Sequence, residues 1–176
     1  MNKRMFLKGL VGMVALPTAA LGYRSLMAMA SNETETPMEN IVNSAGGPEK
    51  IDLTAAEWKE RLTPAQYTVL RRAGTERPFS SSLNEEKREG IYACAGCDLP
   101  LFESQTKFDS GTGWPSFFDT ITDNVGTSID YKIIVPRTEY HCARCGGHQG
   151  HVFKDGPQPT GLRYCNNGVA LKFHPA

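Results

Sequence analysis

The chain has 176 residues, 22% of them charged and 9% aromatic, so it holds one compact domain and a tail; this composition excludes a disordered or fibrous protein. Its 19 Lys and Arg match 19 Asp and Glu, but residues 1–30 contain Lys3, Arg4, Lys8 and Arg24 and no acid, which leaves 15 bases against 19 acids and a net −4 on the remainder. A domain of that sign has no electrostatic reason to hold nucleic acid or an anionic membrane, because both are gripped by clustered Lys and Arg.

In chain order, residues 1–30 open on a basic stretch, run uncharged through residues 9–23 and end Ala28-Met29-Ala30. A charged start, apolar middle and small-x-small end predict a signal peptide cleaved after Ala30 and a protein that is periplasmic or otherwise exported. Read instead as an uncleaved anchor, the uncharged run is broken by Gly12, Pro17 and Gly22 and falls short of the roughly twenty residues a membrane span needs. The segment Lys3-Arg4-Met5-Phe6-Leu7-Lys8 resembles the twin-arginine export signal, with Lys3 in place of the first arginine. Residues 31–50, rich in Asn, Ser, Glu, Thr and Gly, predict a flexible tether, and the domain is expected over 51–176.

Thr54-Ala55-Ala56-Glu57 and Thr63-Pro64-Ala65-Gln66 both have the capping-box form, and Pro64 sits where a first helical turn accepts proline. Two short helices are predicted there, the second stopping near Gly74. From Gly90 onward, short β-branched and aromatic runs alternate with turn residues. Strands are predicted over 91–93, 139–141, 150–153, 163–165 and 169–173, and over 129–135, where Ile129, Tyr131, Ile133 and Val135 alternate as one buried face. No strand alternates with a long helix, so the fold class is mainly β (α+β), with antiparallel sheets and the helices at one end.

Five cysteines cannot all pair within the chain. Cys94-Ala95-Gly96-Cys97 and Cys142-Ala143-Arg144-Cys145 each place two thiols on one tight turn eased by Gly96 and Gly146, a pattern that suits one structural zinc ion with all four cysteines as ligands. Two disulfides are the alternative, which export makes plausible. Cys165 is left over. Alone it reads as a buried packing residue; Arg163 two positions before it, Asn166 and Asn167 after it, and His141, His148 and His151 upstream favour a thiolate instead. Gly147-His148-Gln149-Gly150-His151 lacks the spacing and the glutamate of a zincin helix, which leaves either structural histidines or partners for Cys165. The loop Gly111-Thr112-Gly113-Trp114-Pro115-Ser116-Phe117 reads equally as a core tryptophan on a turn or as a loop that a ligand approaches closely.

Together with Thr75-Glu76-Arg77-Pro78-Phe79, Asp98-Leu99-Pro100-Leu101-Phe102 and Gly161-Leu162-Arg163-Tyr164-Cys165-Asn166-Asn167, these motifs resemble, in order over residues 53–173, the methionine-R-sulfoxide reductase B family, which repairs one epimer of methionine sulfoxide. The resemblance implies a sandwich-like pair of antiparallel sheets clamped by zinc. It implies Cys165 as the nucleophile that becomes a sulfenic acid, His148, His151 and Asn167 as groups that bind and polarise the sulfoxide oxygen, with one of the two histidines supplying its proton, and Trp114 as the wall that packs on the substrate methyl. Arg163 would favour the thiolate by its charge. Many family members carry a resolving cysteine where this chain has Thr112, so an external thiol, such as a thioredoxin-like protein, is expected to reduce Cys165 directly. Oxidised proteins or peptides are the expected substrates, with no stable membrane insertion after signal cleavage. A zinc-stabilised β-domain that only binds a protein partner is the competing reading; it has no need of Cys165 with His148, His151 and Asn167.

Overall fold

The structure is a computed structural model that describes residues 47–176. The expected signal peptide and the tether up to residue 46 lie outside the described residues. The end of the tether that is described packs on the domain: Pro48 is buried and Lys50 Nζ donates to the Ala143 carbonyl at 2.6 Å.

Two helices open the domain, α1 (Ala55–Arg61) and α2 (Pro64–Arg72), and both start at the predicted capping boxes. Thr54 Oγ1 accepts from the Glu57 N–H while the Glu57 carboxylate accepts from the Thr54 N–H, and Thr63 and Gln66 repeat the exchange. α2 ends where Ala73 turns left-handed and the Gly74 N–H donates to Thr68 O at 3.0 Å. A Cβ on Gly74 would come within 2.9 Å of the Thr68 side chain and 3.0 Å of its carbonyl, so a side chain here would crowd the helix end. Helices of seven and nine residues are too short to persist alone. They are held by burying Trp58, Val69 and Leu70 against the sheet region.

Among the described residues nine strands follow: β1 (Gly90–Cys94), β2 (Pro100–Glu103), β3 (Lys107–Phe108), β4 (Ser116–Phe117), β5 (Val125–Asp130), β6 (Arg137–Cys142), β7 (His148–Phe153), β8 (Arg163–Asn166) and β9 (Leu171–Pro175). They form two antiparallel sheets, a small one in the order β2-β1-β9 and a large one in the order β3-β4-β8-β7-β6-β5. The mainly β architecture with two short helices is the one expected from the sequence pattern. An aromatic core joins the sheets: Phe102 of β2 stacks on Phe117 of β4 with centroids 4.1 Å apart, and Tyr92 of β1 meets Phe117 edge-on at 5.0 Å. No helix of the described residues is long and apolar enough to cross a membrane.

Two expectations are corrected. The strand predicted over 129–135 ends at Asp130, because the Asp130 carboxylate accepts the Lys132 N–H at 2.9 Å in an Asx-type turn and Pro136, with no N–H to give, precedes β6. Tyr131, Ile133, Ile134 and Val135 are therefore exposed on a hairpin loop and form no buried face. The strand predicted over 169–173 is a 3-10 turn over Gly168–Ala170 followed by β9.

Candidate active site

The four knuckle cysteines come together at the ends of β1 and β6. In both knuckles the N–H four residues after the first cysteine donates back to its carbonyl: Asp98 to Cys94 at 2.8 Å and Gly146 to Cys142 at 2.9 Å. Both donors are left-handed, with φ of 62° and 65°. Asp98, and not Gly96, is thus the counterpart of Gly146. All four Sγ atoms are buried and lie within 4.8 Å of one another, with Cys94 and Cys145 3.6 Å apart and Cys97 and Cys142 3.4 Å apart. The thiols are free, so the two-disulfide alternative is not adopted. A tetrahedral ion with metal–sulfur bonds of about 2.3 Å sets its sulfurs about 3.8 Å apart, and the cluster fits that demand. α2 covers it: the side chain of Leu70 packs beside the Cys145 Sγ, and Arg71 donates to the Cys145 carbonyl at 2.8 Å while lying 4.7 Å over the Trp58 ring.

Cys165 lies in a different setting. Its register partners are Ser116 on β4 and His151 on β7; His151 in turn pairs with Glu139 on β6, and Glu139 with Ser128 on β5. Directly opposed residues share a face, so these five side chains form one row across the large sheet. A three-residue spacing would ordinarily place His148 and His151 on opposite faces. The register between β6 and β7 slips after Tyr140, which faces Gly150 while His141 faces His148, so Gln149 is the extra residue of a β-bulge. The bulge sends Gln149 into the core, where its amide reaches the Cys94 Sγ at 3.4 Å, and brings the two histidine rings edge to face at 5.5 Å. Gly150 is required at this crossing, since a Cβ there would sit 1.9 Å from the Cys165 carbonyl.

Carboxylates orient both histidines. His148 Nδ1 donates to Glu139 at 2.7 Å, and His151 Nε2 donates to Asp130 at 2.8 Å; because a carboxylate only accepts, these partners assign the tautomers. Burial pushes the Glu139 carboxyl up, but hydrogen bonds from His141, His148 and Ser128 hold it well below the usual carboxylate range. Asp130 is held low by the Lys132 N–H and by His151 and Arg137. Burial pushes the His151 imidazole below its ordinary value; Asp130 pulls the other way, and Arg137 and His148 add to the fall. Burial likewise pushes the Cys165 thiol up, against the lowering effects of Arg163 and of the Thr112 hydroxyl.

A cleft of about 130 Å³ opens between these groups, lined by Trp114, His151, Cys165 and Asn167 together with Thr75, Arg137 and Phe153. Two wider depressions, of about 440 and 800 Å³, hold no thiol and no histidine. The SelR domain model matches residues 62–175. The chain is 50% identical to the "Peptide methionine sulfoxide reductase B1, chloroplastic" of Arabidopsis thaliana over 85% of its own length and 74% of that protein's. It is 56% identical to the "Peptide methionine sulfoxide reductase MsrB" of Pseudomonas entomophila (strain L48), over 72% of the chain and 98% of the relative. The MsrB of Methanosarcina mazei is also 56% identical, over 70% and 89%. The chain belongs to the MsrB family.

In this MsrB chain the cleft gathers four of the six residues expected at the site. His148 stands beside His151 without lining the cleft. Arg163 is also outside the lining: it stacks on Phe153 with its guanidinium carbon 4.3 Å from the ring centroid and grips Asp155 through two hydrogen bonds of 2.8 Å. Its positive charge therefore reaches Cys165 partly cancelled by Asp155. Asn167 spends most of its amide on structure, accepting from Glu76 N at 3.0 Å and donating to Gln149 O at 2.8 Å, which leaves one N–H. Glu76 in turn accepts the indole N–H of Trp114 on its carbonyl at 3.2 Å and the N–H groups of Gly168 and Val169 on its carboxylate, so one residue fixes both walls of the cleft. Glu76 lies in the Thr75–Phe79 motif, which announces no role for it, and Glu139 and Asp130 lie in no motif; only the fold brings the three to the site.

Proposed function

We propose that this MsrB chain reduces methionine-R-sulfoxide in proteins and peptides, with Cys165 as nucleophile and an external thiol as reductant. The observation that carries the reading is the division of the thiols: four are buried together in an arrangement able to hold a metal ion, and the fifth lines a polar cleft beside His151 and Trp114. The Cys165 sulfur attacks the sulfoxide sulfur as the oxygen takes up a proton; the oxygen then passes to the Cys165 sulfur as the substrate S–O bond and the transient S–S bond break, giving methionine and a Cys165 sulfenic acid, so the substrate sulfur gains the two electrons that Cys165 loses. His151 is positioned to deliver that proton, and the remaining Asn167 N–H to hold the oxygen. Trp114 supplies an apolar face for the methyl group and so sorts the epimers by shape. Two external thiols then return Cys165 to the thiol with release of water and a disulfide; Thr112 stands where a resolving thiol would be.

The metal is read as zinc bound by Cys94, Cys97, Cys142 and Cys145, where it would hold β1 and β6 together away from the chemistry. The basic start and apolar middle of residues 1–30 support export through the twin-arginine route, with a mature protein beginning at Ser31 and a thioredoxin-like reductant outside the cytoplasm. The test gives the R and S epimers of methionine sulfoxide separately, with excess dithiothreitol, to the protein and to Cys165→Ser. Activity on R alone that vanishes in the variant is expected; turnover of S alone, or an active variant, rejects the reading.

A further inference from the structure

The apolar alternation over 129–135 predicts a strand with a buried face, and the structure leaves these side chains outside the core. The large hydrophobic side chains exposed among the described residues are Phe79 and five from this one hairpin, with Ile134 102%, Tyr131 74% and Val135 67% exposed. A hairpin turn needs none of them, since turns favour Gly, Asn, Asp and Pro. Concentrated apolar exposure of this kind marks an interaction surface.

The hairpin is fixed to the cleft at three points. Asp130, at its base, binds His151 of the cleft at 2.8 Å. Arg137, at its other base, lines the cleft and pairs with Asp130 at 2.8 Å. Lys132 reaches across to the Ala73 carbonyl at 3.3 Å, two residues before Thr75 on the cleft wall. These contacts tie the base of the hairpin to the cleft: Asp130 and Arg137 pair with each other, and the Lys132 ammonium rests on the Ala73 carbonyl. The other exposed side chains of the tip, Tyr131, Ile133, Ile134 and Val135, are large and hydrophobic.

We infer that this tip is the docking surface for apolar residues flanking the oxidised methionine of an unfolded polypeptide. The inference rests on the reductase reading above. A cleft of about 130 Å³ admits one side chain, so the flanking residues must lie outside it, and the exposed Val135 stands two residues before Arg137 of its lining. Methionine is commonly buried in native proteins among other apolar residues, which a folded substrate hides and an unfolded one presents. The tip thus selects for unfolded oxidised chains by the residues beside the sulfoxide, while the cleft selects the epimer.

The test compares N-acetylmethionine-R-sulfoxide with two peptides carrying the same sulfoxide, one flanked by Leu, Val and Phe and one by Ser, Gly and Asn. The enzymes are the unaltered protein, Ile134→Ser, and the triple variant Ile133→Ser, Ile134→Ser, Val135→Ser. The unaltered protein is expected to favour the apolar-flanked peptide by about tenfold in kcat/KM. The triple variant loses that preference through KM, with kcat and the N-acetyl substrate unchanged. Ile134→Ser, whose side chain packs on nothing, gives a smaller loss in the same direction and guards against a folding defect. An unmoved peptide KM in both variants overturns the inference. So does a tip whose substitution abolishes self-association or binding to phosphatidylglycerol vesicles while the peptides remain indistinguishable. Inactivity of the unaltered protein toward every sulfoxide would instead reject the reductase reading and this one with it.

Discussion

The four-cysteine cluster and the Cys165 cleft put the same functional group to opposite uses, and the difference lies in the neighbours. In the cluster each thiol faces other sulfurs in a buried shell closed by Leu70 and Trp58, a set of soft donors with one natural occupant, a metal ion. In the cleft one thiol, half-buried, faces a histidine, an amide and a tryptophan, and among the described residues no second sulfur. A cluster of thiols is inert once it is filled; a single thiol in a polar cleft keeps its reactivity. Cys165 is nevertheless no standing thiolate, because burial outweighs the pull of Arg163 and Thr112. As the proposed nucleophile it would therefore depend for activation on the proton-bearing groups around the substrate more than on a fixed positive charge.

Removing one sulfur from the cluster should have the largest effect. Structural zinc binding contributes about 10–16 kcal/mol, comparable to the whole net stability of a domain, about 5–15 kcal/mol. Cys142→Ser is expected to lose its metal and its cooperative thermal transition; a cooperative melt near that of the parent would show that the cluster does not hold the fold. On the cleft side, Asp130→Asn removes the contact that raises the His151 pKa, leaving burial, Arg137 and His148 all lowering it. The protonated imidazole then becomes rarer at pH 7, so activity should fall by about tenfold and the optimum should move to lower pH; an unchanged pH profile would remove His151 from the proton transfer. The smallest effect is in the reactivity of the free enzyme. A thiol whose pKa is raised is less ionised at neutral pH, so alkylation of Cys165 by iodoacetamide should keep rising with pH into the alkaline range. A rate that levels off below pH 7 would mean a preformed thiolate and a larger role for Arg163.

The parts of the fold legible in the sequence are those written in local chemistry. Thr54 with Glu57 and Thr63 with Gln66 announce their helices because each side chain meets a backbone group three residues away. The two Cys-x-x-Cys turns announce the four-cysteine cluster for the same reason. The short strands β3 and β4 carry too few residues for a period to show. At 129–135 the alternation of Ile, Tyr and Val gave the wrong answer, because Asp130 ends the strand through its own side chain and the apolar residues belong to an exposed tip. The bulge at Gln149, which aligns His148 with His151, comes from a register slip between two strands, and neither strand's sequence contains it alone. Glu139, Asp130 and Glu76 reach the site through pairings 9, 21 and 91 residues apart, beyond any local pattern.

The division of the five cysteines is tested most directly by one turnover without reductant. The protein is mixed with one equivalent of methionine-R-sulfoxide in the presence of dimedone, digested, and mapped by mass spectrometry, with metal content measured on the same sample. A single dimedone adduct on Cys165, with Cys94, Cys97, Cys142 and Cys145 unmodified and one metal ion retained per chain, is the expected result. A disulfide between Cys165 and any knuckle cysteine, with loss of the metal, would contradict it.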